Sequence, residues 1–371
     1  MVKKYRQLCV QCFTMAAVIL QLACSFGPPK ETVEYANIVF PQPPDEPRFY
    51  FEQTILSSGD VIAETDDQRM QRWLTGGKRA GQGMGKPFGV AVHQGRIFVS
   101  DSASRKIHAF DKSANKYFEI GLDAPGKLAK PMGLATDLEG NIYVMDASQE
   151  KVFVYNRDGE FLRKFGNSEM FDKASSLAVT PDGARLYVID TGGVKSNNHR
   201  VLEFDAVNGQ LIKEFGTRGT GDGQFNLPKD ATIGPDGLIY IVDSANFRVQ
   251  VLNPTDGSFV RAFGSIGRQA GQFSRPKSID TDPSGNVYVS DAAFGNFQIF
   301  TATGELLLAV GSRSSVFEPA KFMLPAGITV DEDGRVYMID QYFKKIDVFR
   351  PASLKKGQGY FSKPQADSTT Q

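Results

Sequence analysis

The sequence predicts an all-β fold: a six-bladed β-propeller of four-stranded antiparallel blades, its ring closed by a strand from the N-terminal side. Three observations predict it. One strand motif ending in Asp recurs six times, its aspartates 45, 44, 53, 48 and 49 residues apart, a period that means stacked repeats rather than one ordinary core. The strand that opens each repeat carries small residues at alternate positions, as a strand crowded around a narrow axis must. The sixth repeat is one strand short, and an unpartnered β-rich stretch precedes the first repeat.

Taken in order, the first element is residues 1–23. Lys3, Lys4 and Arg6 precede a mostly apolar, uncharged run from Val10 to Ala23, which reads as a secretory signal and is too short for a good membrane span. It ends Leu20-Gln21-Leu22-Ala23-Cys24. A small residue directly before a cysteine resembles a bacterial lipobox, although Gln21 stands where that motif prefers an aliphatic; the alternative is an ordinary cleaved signal. Cys9 and Cys12 fall inside the removed segment, so Cys24 would be the one remaining thiol. Lipidation would remove the mispairing hazard of a lone thiol in an oxidising compartment, and several acyl chains make a firm anchor. Ser25 after the cysteine implies the outer membrane in that class. The expected address is therefore exported and lipid-anchored in a bacterial cell envelope. The chain is formally neutral; without the three cations of the signal it carries about −3, which excludes a globally basic nucleic-acid binder.

Residues 24–47, with Pro28, Pro29, Pro41, Pro43, Pro44 and Pro47, read as a semi-rigid tether. Residues 48–56 supply the closing strand, which removes both open edges of the ring. Residues 57–85 connect it to the repeats. They hold a short helix from Thr65 to Leu74, with Thr65 as N-cap, Asp66 and Asp67 in the first turn and Gly76 beyond the end; its Met70 and Trp73 are expected to cover one face of the ring. Residues 86–350 are the six repeats, and 351–371 a polar, frayed tail. The expected state is a monomeric ring.

Within a repeat the first strand reads Pro87-Phe-Gly-Val-Ala-Val or Pro131-Met-Gly-Leu-Ala-Thr, and Gly89, Ala91, Gly133, Ala135, Ser176 and Ala178 face the axis. A turn such as Pro181-Asp-Gly follows. The second strand carries the motif, as in Gly140-Asn-Ile-Tyr-Val-Met-Asp146 and Gly237-Leu-Ile-Tyr-Ile-Val-Asp243. The third begins five residues after the aspartate with Lys106, Lys151, Arg248, Asn296 or Lys345. Repeat three delays it to Arg200 through a five-residue insertion. A turn with Gly159, Gly209, Gly257 or Gly304 leads to the fourth strand, as in Ser258-Phe-Val-Arg-Ala-Phe-Gly264.

The Pro-x-Gly start, the Gly-x-Ile-Tyr-Val-x-Asp strand, the Asn-x-Arg-Val before strand three and the closing Phe-Gly resemble the NHL-repeat propellers. The resemblance covers Lys86 to Arg350. Repeat four carries it best, with Asp243-Ser-Ala-Asn-Phe-Arg-Val249, Phe263-Gly264 and Gly271-Gln-Phe273. It implies the fold strongly and function weakly, because this fold hosts unrelated activities.

Candidate sites follow. The six aspartates Asp101, Asp146, Asp190, Asp243, Asp291 and Asp340 are expected to be structural, each satisfying loop N–H groups and pairing with the basic residue five on. Asp291, facing Asn296, has the least obvious partner. His93 in a hairpin, His108 on a third strand and His199 in the insertion avoid the innermost strands, so they share no metal. Asp230 and Asp280 depart from the small-residue axis column. They are the alternative catalytic pair of a lactonase- or lyase-like enzyme, with calcium as its alternative cofactor. Two carboxylates are a thin cage for an ion that takes six or more oxygens, so no cofactor is expected. The best binding candidate is the face shared by the loops before strand one and between strands two and three. It carries Arg105, Lys195, His199, Arg200, Lys229, Arg248 and Lys277, a basic rim suited to anionic partners. The insertion 191–199 on that face reads as mobile. An exported protein points to an envelope protein or complex, or an acidic polysaccharide, as partner, with no nucleic acid.

Overall fold

The computed structural model describes residues 38–362 except 78 and 80. The expected signal segment, Cys24, most of the expected tether and residues 363–371 lie outside the described residues.

Alternating apolar positions and Gly-containing turns give blades of four antiparallel strands. Blade one runs Pro87–His93, Arg96–Asp101, Lys106–Asp111 and Lys116–Ile120. The later blades begin at Pro131, Ala174, Pro228, Pro276 and Pro325. The motif strand is the second in every blade and is almost wholly buried, as Ile142–Asp146 and Val287–Asp291 are. The fourth strands are half exposed: in Phe161–Phe165, Phe161, Arg163 and Phe165 are half-buried while Leu162 and Lys164 face solvent.

Six hydrophobic clusters fill the six gaps between neighbouring blades. This explains how so long a chain packs without one large core: each blade buries its faces on its neighbours. The Phe that ends a fourth strand reaches across the gap to the turn glycine of the next blade. A Cβ on Gly209 would lie 2.5 Å from Phe165 Cβ, and one on Gly257 would lie 2.7 Å from Phe215 Cβ. Both glycines also hold positive φ, so the recurring Phe and the recurring Gly are two halves of one contact.

Blade six closes as expected. Phe49–Ile55 pairs antiparallel with Lys345–Pro351, burying Phe49, Phe51 and Ile55. Two corrections apply at the chain ends. The last part of the proposed tether is not spacer: Val39–Phe40 adds a fifth strand to this blade. The start of the proposed tail is not frayed: Phe361 is fully buried against Tyr337. Arg335, also fully buried, ties the region together. It donates to Glu52 Oε2 at 2.8 Å, to Asp333 Oδ2 at 3.2 Å and to the Gln358 carbonyl.

Residues 63–80 belong to a separate unit. Its helix, Asp66–Thr75, has the expected Thr65–Gln68 capping box and a left-handed Gly76 C-cap. None of its residues is buried, and Met70 and Trp73 stand exposed.

Candidate functional site

The six first strands surround a central cavity of about 550 Å³. Their small residues are set by backbone crowding: a Cβ on Gly133 would lie 2.6 Å from Ser176 Cα, and one on Gly89 would lie 2.9 Å from the Met132 carbonyl oxygen. Only a residue without a side chain fits there.

Asp230 and Asp280 both line this channel, but not as one column. Asp230 is the third residue of its strand and Asp280 the fifth, so they occupy successive tiers. In the upper tier Asp230 Oδ1 accepts from Ser176 Oγ at 2.6 Å and Ala231 N at 3.0 Å. Its Oδ2 accepts from Ser278 Oγ and from Ile279 N at 3.1 Å. In the lower tier Asp280 Oδ1 accepts from Thr232 Oγ1 and Thr281 N, and its Oδ2 from Thr329 Oγ1 and Val330 N. Each carboxylate therefore laces its own blade to both neighbours through four donors, which fill its roughly four acceptor sites. Burial pushes Asp230 up to about 6, although the same hydrogen bonds pull the other way, and burial raises Asp280 likewise. This donor set does not fit calcium, which needs open carboxylate oxygens. Among the described residues no group of three or more His, Cys, Asp and Glu side chains is placed to hold a metal.

His93 corrects the sequence reading, because it ends the innermost strand of blade one and lines the channel. Burial lowers its pKa, against the pull of Glu332 3.6 Å away. His108 and His199 are fully buried elsewhere.

The six motif aspartates are all fully buried and accept loop N–H groups. Asp101 takes those of Gly85, Lys86, Ala103 and Ser104. Burial alone would raise its pKa, but a hydrogen bond from His108 with the backbone donors holds it far below the usual carboxylate range. Asp146, Asp190, Asp243 and Asp340 are fed the same way. Asp291 takes four backbone N–H groups and no bond from Asn296. The expected pairing with a basic side chain is found in only two blades, through Arg200 at 3.3 Å and Arg248 at 2.9 Å. Lys106 turns to Glu119 and Lys345 to Asp347 instead.

That outcome reshapes the basic face. Arg200 is spent on Asp190, Glu214 and the Met170 carbonyl. Arg248 is spent on Asp243 and two loop carbonyls. His199 lies under Phe225 O, Leu227 N and Gly193 O. These three side chains are committed to contacts within the chain. The insertion is tied down too, with Thr191 buried and donating to the Pro228 carbonyl at 2.7 Å. What remains on the rim are exposed cations: Arg105, Lys195, Lys86, Lys130, Lys173, Arg275 and Lys344. Lys229 and Lys277 are half-buried inside the channel mouth. Burial, together with the like charges of Lys277 and Lys173, pushes Lys229 down to about 8. The opposite mouth is lined by Asp137, Asp282, Asp331 and Glu332, so the channel is electrically asymmetric.

Sequence reasoning missed the buried polar position below the motif aspartate, the third residue of strand three. It holds His108, Gln250, Gln298 and Asp347. Gln250 donates to the Gln224 carbonyl and accepts from Gly223 N, and Gln298 repeats this with Gln272 and Gly271. A glutamine amid apolar strand residues was the available signal.

These features define the class: a six-bladed β-propeller of four-stranded antiparallel blades. The NHL repeat itself matches residues 225–252, the heart of blade four. The protein brain tumor of Drosophila melanogaster is 31% identical over 136 residues, 35% of this chain; the match spans 12% of that protein's length. A streptogramin B lyase structure shares the fold with a TM-score of 0.53 at 15% identity, over 72% of this chain and 94% of that one. A gluconolactonase from Xanthomonas campestris gives 0.54 at 16%, over 72% and 86%. A protein of unknown function from Bacteroides thetaiotaomicron gives 0.59 at 18%, over 81% and 75%. At these identities the likeness is one of fold.

Proposed function

We propose that the protein is an exported, lipid-anchored envelope propeller that binds an acidic partner through its basic face without catalysing a reaction. One observation carries this reading: the rim cations Arg105, Lys195, Lys86, Lys130, Lys173, Arg275 and Lys344 make no ion pair with any carboxylate among the described residues. Unpaired like charges on one face raise the local concentration of anions and speed their capture. The partner is an envelope protein or complex, or an acidic polysaccharide. Cys24 carries the anchor, and Cys24→Ser moves the protein from the membrane fraction to the soluble one.

The test is cross-linking in the native envelope, with an Arg105→Glu/Lys195→Glu variant alongside. The variant loses the partner, and wild-type capture falls as salt is raised. Unchanged capture by the variant refutes the reading.

The rival is a lactonase- or lyase-like enzyme at the axis. It draws on Asp230, a channel carboxyl held near 6, in the range of a general base. Against it stands the full set of four donors on each carboxylate. Asp230→Asn/Asp280→Asn leaves partner capture intact under the binding reading and abolishes turnover under the rival.

A further inference from the structure

The second residue of each first strand points into the same mouth of the channel. In blade order these are Phe88, Met132, Ser175, Lys229, Lys277 and Ala326. Consecutive first strands are neighbours around the ring, so this order is also the spatial order. The ring is therefore two-sided. Ala326, Phe88 and Met132 make one continuous apolar arc; Ser175, Lys229 and Lys277 make the opposite polar, cationic arc. Six-fold placement sets Phe88 across from Lys229 and Met132 across from Lys277.

In this arc Ser175 bonds to Thr191 Oγ1 and the Lys229 carbonyl, and the two lysines are left without a counter-charge among the described residues. Lys229 and Lys277 are half-buried, yet among the described residues neither ammonium has a carboxylate within ion-pair distance. A half-buried ammonium without a counter-charge is a standing cost, which its lowered pKa reflects. Asp230, one residue deeper, does not relieve it, because both its oxygens are turned to Ser176, Ser278 and backbone N–H groups. Glu150, Asp172 and Glu318 lie in loops of the same face, none paired with these two lysines. Behind the mouth lies a cavity of about 550 Å³, within the roughly 300–1,000 Å³ of small-molecule sites.

We propose that this mouth is a binding site for a small amphipathic anion: a carboxylate or sulfonate held by Lys229 and Lys277, with an apolar body laid against Phe88 and Met132. It deepens the binding reading by naming a small ligand for the same face, and it uses channel residues rather than the rim.

The test is calorimetric titration of the full-length protein with 2-naphthoate, with naphthalene-2-methanol and inorganic phosphate as partial mimics. Naphthoate binds once per chain. The neutral alcohol and phosphate each bind at least about ten-fold more weakly, since each lacks one half of the match. Lys229→Met and Lys277→Met, which keep the alkyl stem, each weaken naphthoate about ten-fold, and Lys229→Arg restores most of it. Absence of naphthoate binding, binding by either Met variant as tight as that of wild type, or phosphate binding as tightly as naphthoate overturns the proposal. A polygalacturonate titration separates it from the rim reading. The Arg105→Glu/Lys195→Glu variant loses the polymer and keeps naphthoate. Failure of naphthoate alone sinks the channel site, and failure of the polymer alone sinks polysaccharide capture by the rim.

Discussion

Glu52→Ala tests how the ring is locked. Glu52 sits on the closing strand, and its carboxylate meets Arg335 of blade six at 2.8 Å, with side-chain exposures of 9% and 0%. Burial alone would lower the Arg335 pKa, but Glu52 outweighs it, so the guanidinium stays charged. Lys112 lies in the same field, pushed down by burial and Arg335 and pulled up by Glu52. Removing Glu52 leaves a fully buried guanidinium with only Asp333, the Gln358 carbonyl and the Phe361 ring at 5.6 Å. Breaking a buried pair costs roughly 3–5 kcal/mol. The surviving Asp333 contact puts this case at the lower end, about 3 kcal/mol. Urea unfolding followed by far-UV circular dichroism reads it as a fall in midpoint at constant slope. A loss below about 1 kcal/mol refutes the reasoning. The charge argument has its own control. Glu52→Leu with Arg335→Met removes both charges and recovers most of the loss. If the double variant is as unstable as Glu52→Ala, lost strand contacts and not the stranded charge explain the effect.

The other predictions concern the axis and the tail. Asp230 is held at about 6 when folded, above its unfolded value near 3.9. Its contribution is full below about pH 4 and is lost as pH rises through 6. The melting temperature of wild type minus that of Asp230→Asn therefore falls from pH 4 to pH 7, and a rise contradicts the assignment. Gly133→Ala drives a methyl to within 2.6 Å of Ser176 Cα and destabilises by about 3 kcal/mol or more, the upper end of overpacking costs. Gly237→Ala, at φ +76° with nothing within 4 Å, costs only about 1–2 kcal/mol of backbone strain; equal losses in urea would show that crowding at the axis is not what selects glycine. Phe361→Ala empties a fully buried ring site and costs about 3–5 kcal/mol; protection of the 351–362 backbone in hydrogen exchange falls with it.

The blades and their strand order were legible because each rests on local chemistry repeated six times, and the closing strand because the sixth repeat is one strand short. Asp–N–H loops, Gly turns and alternating apolar residues do not depend on distant partners. The site was less legible, because its key facts are pairings between blades. Arg200 and Arg248 carry the same charge as Lys195 and Arg105, and only the fold decides which are consumed by Asp190 and Asp243. Asp230 and Asp280 are one residue type two positions apart in register, and their tiers emerge only when Ser176, Ser278, Thr232 and Thr329 are placed beside them. Phe361 lies in a polar segment whose composition hides the apolar gap beside Tyr337. The two-sided channel mouth was readable in principle, as the residue directly after each strand-opening Pro or Ala.

Blade six is made from both sides of the sequence, and this sets the order in which the molecule can be assembled. Glu52 and Arg335 are 283 residues apart, and Thr54 and Asp347, joined at 2.6 Å, are 293 apart. Blades one to five pair only neighbours in sequence and can form as soon as their own residues are free. The last blade must wait for the whole chain. Until then Phe49–Ile55 waits as an unpaired strand with Phe49, Phe51 and Ile55 uncovered, a template for adhesion to any other unfinished chain. For a chain made from one end to the other, the vulnerable interval is the time between delivery of the first strand and arrival of its partner. A chaperone able to sheathe that edge would matter more to yield than the stability of the finished ring.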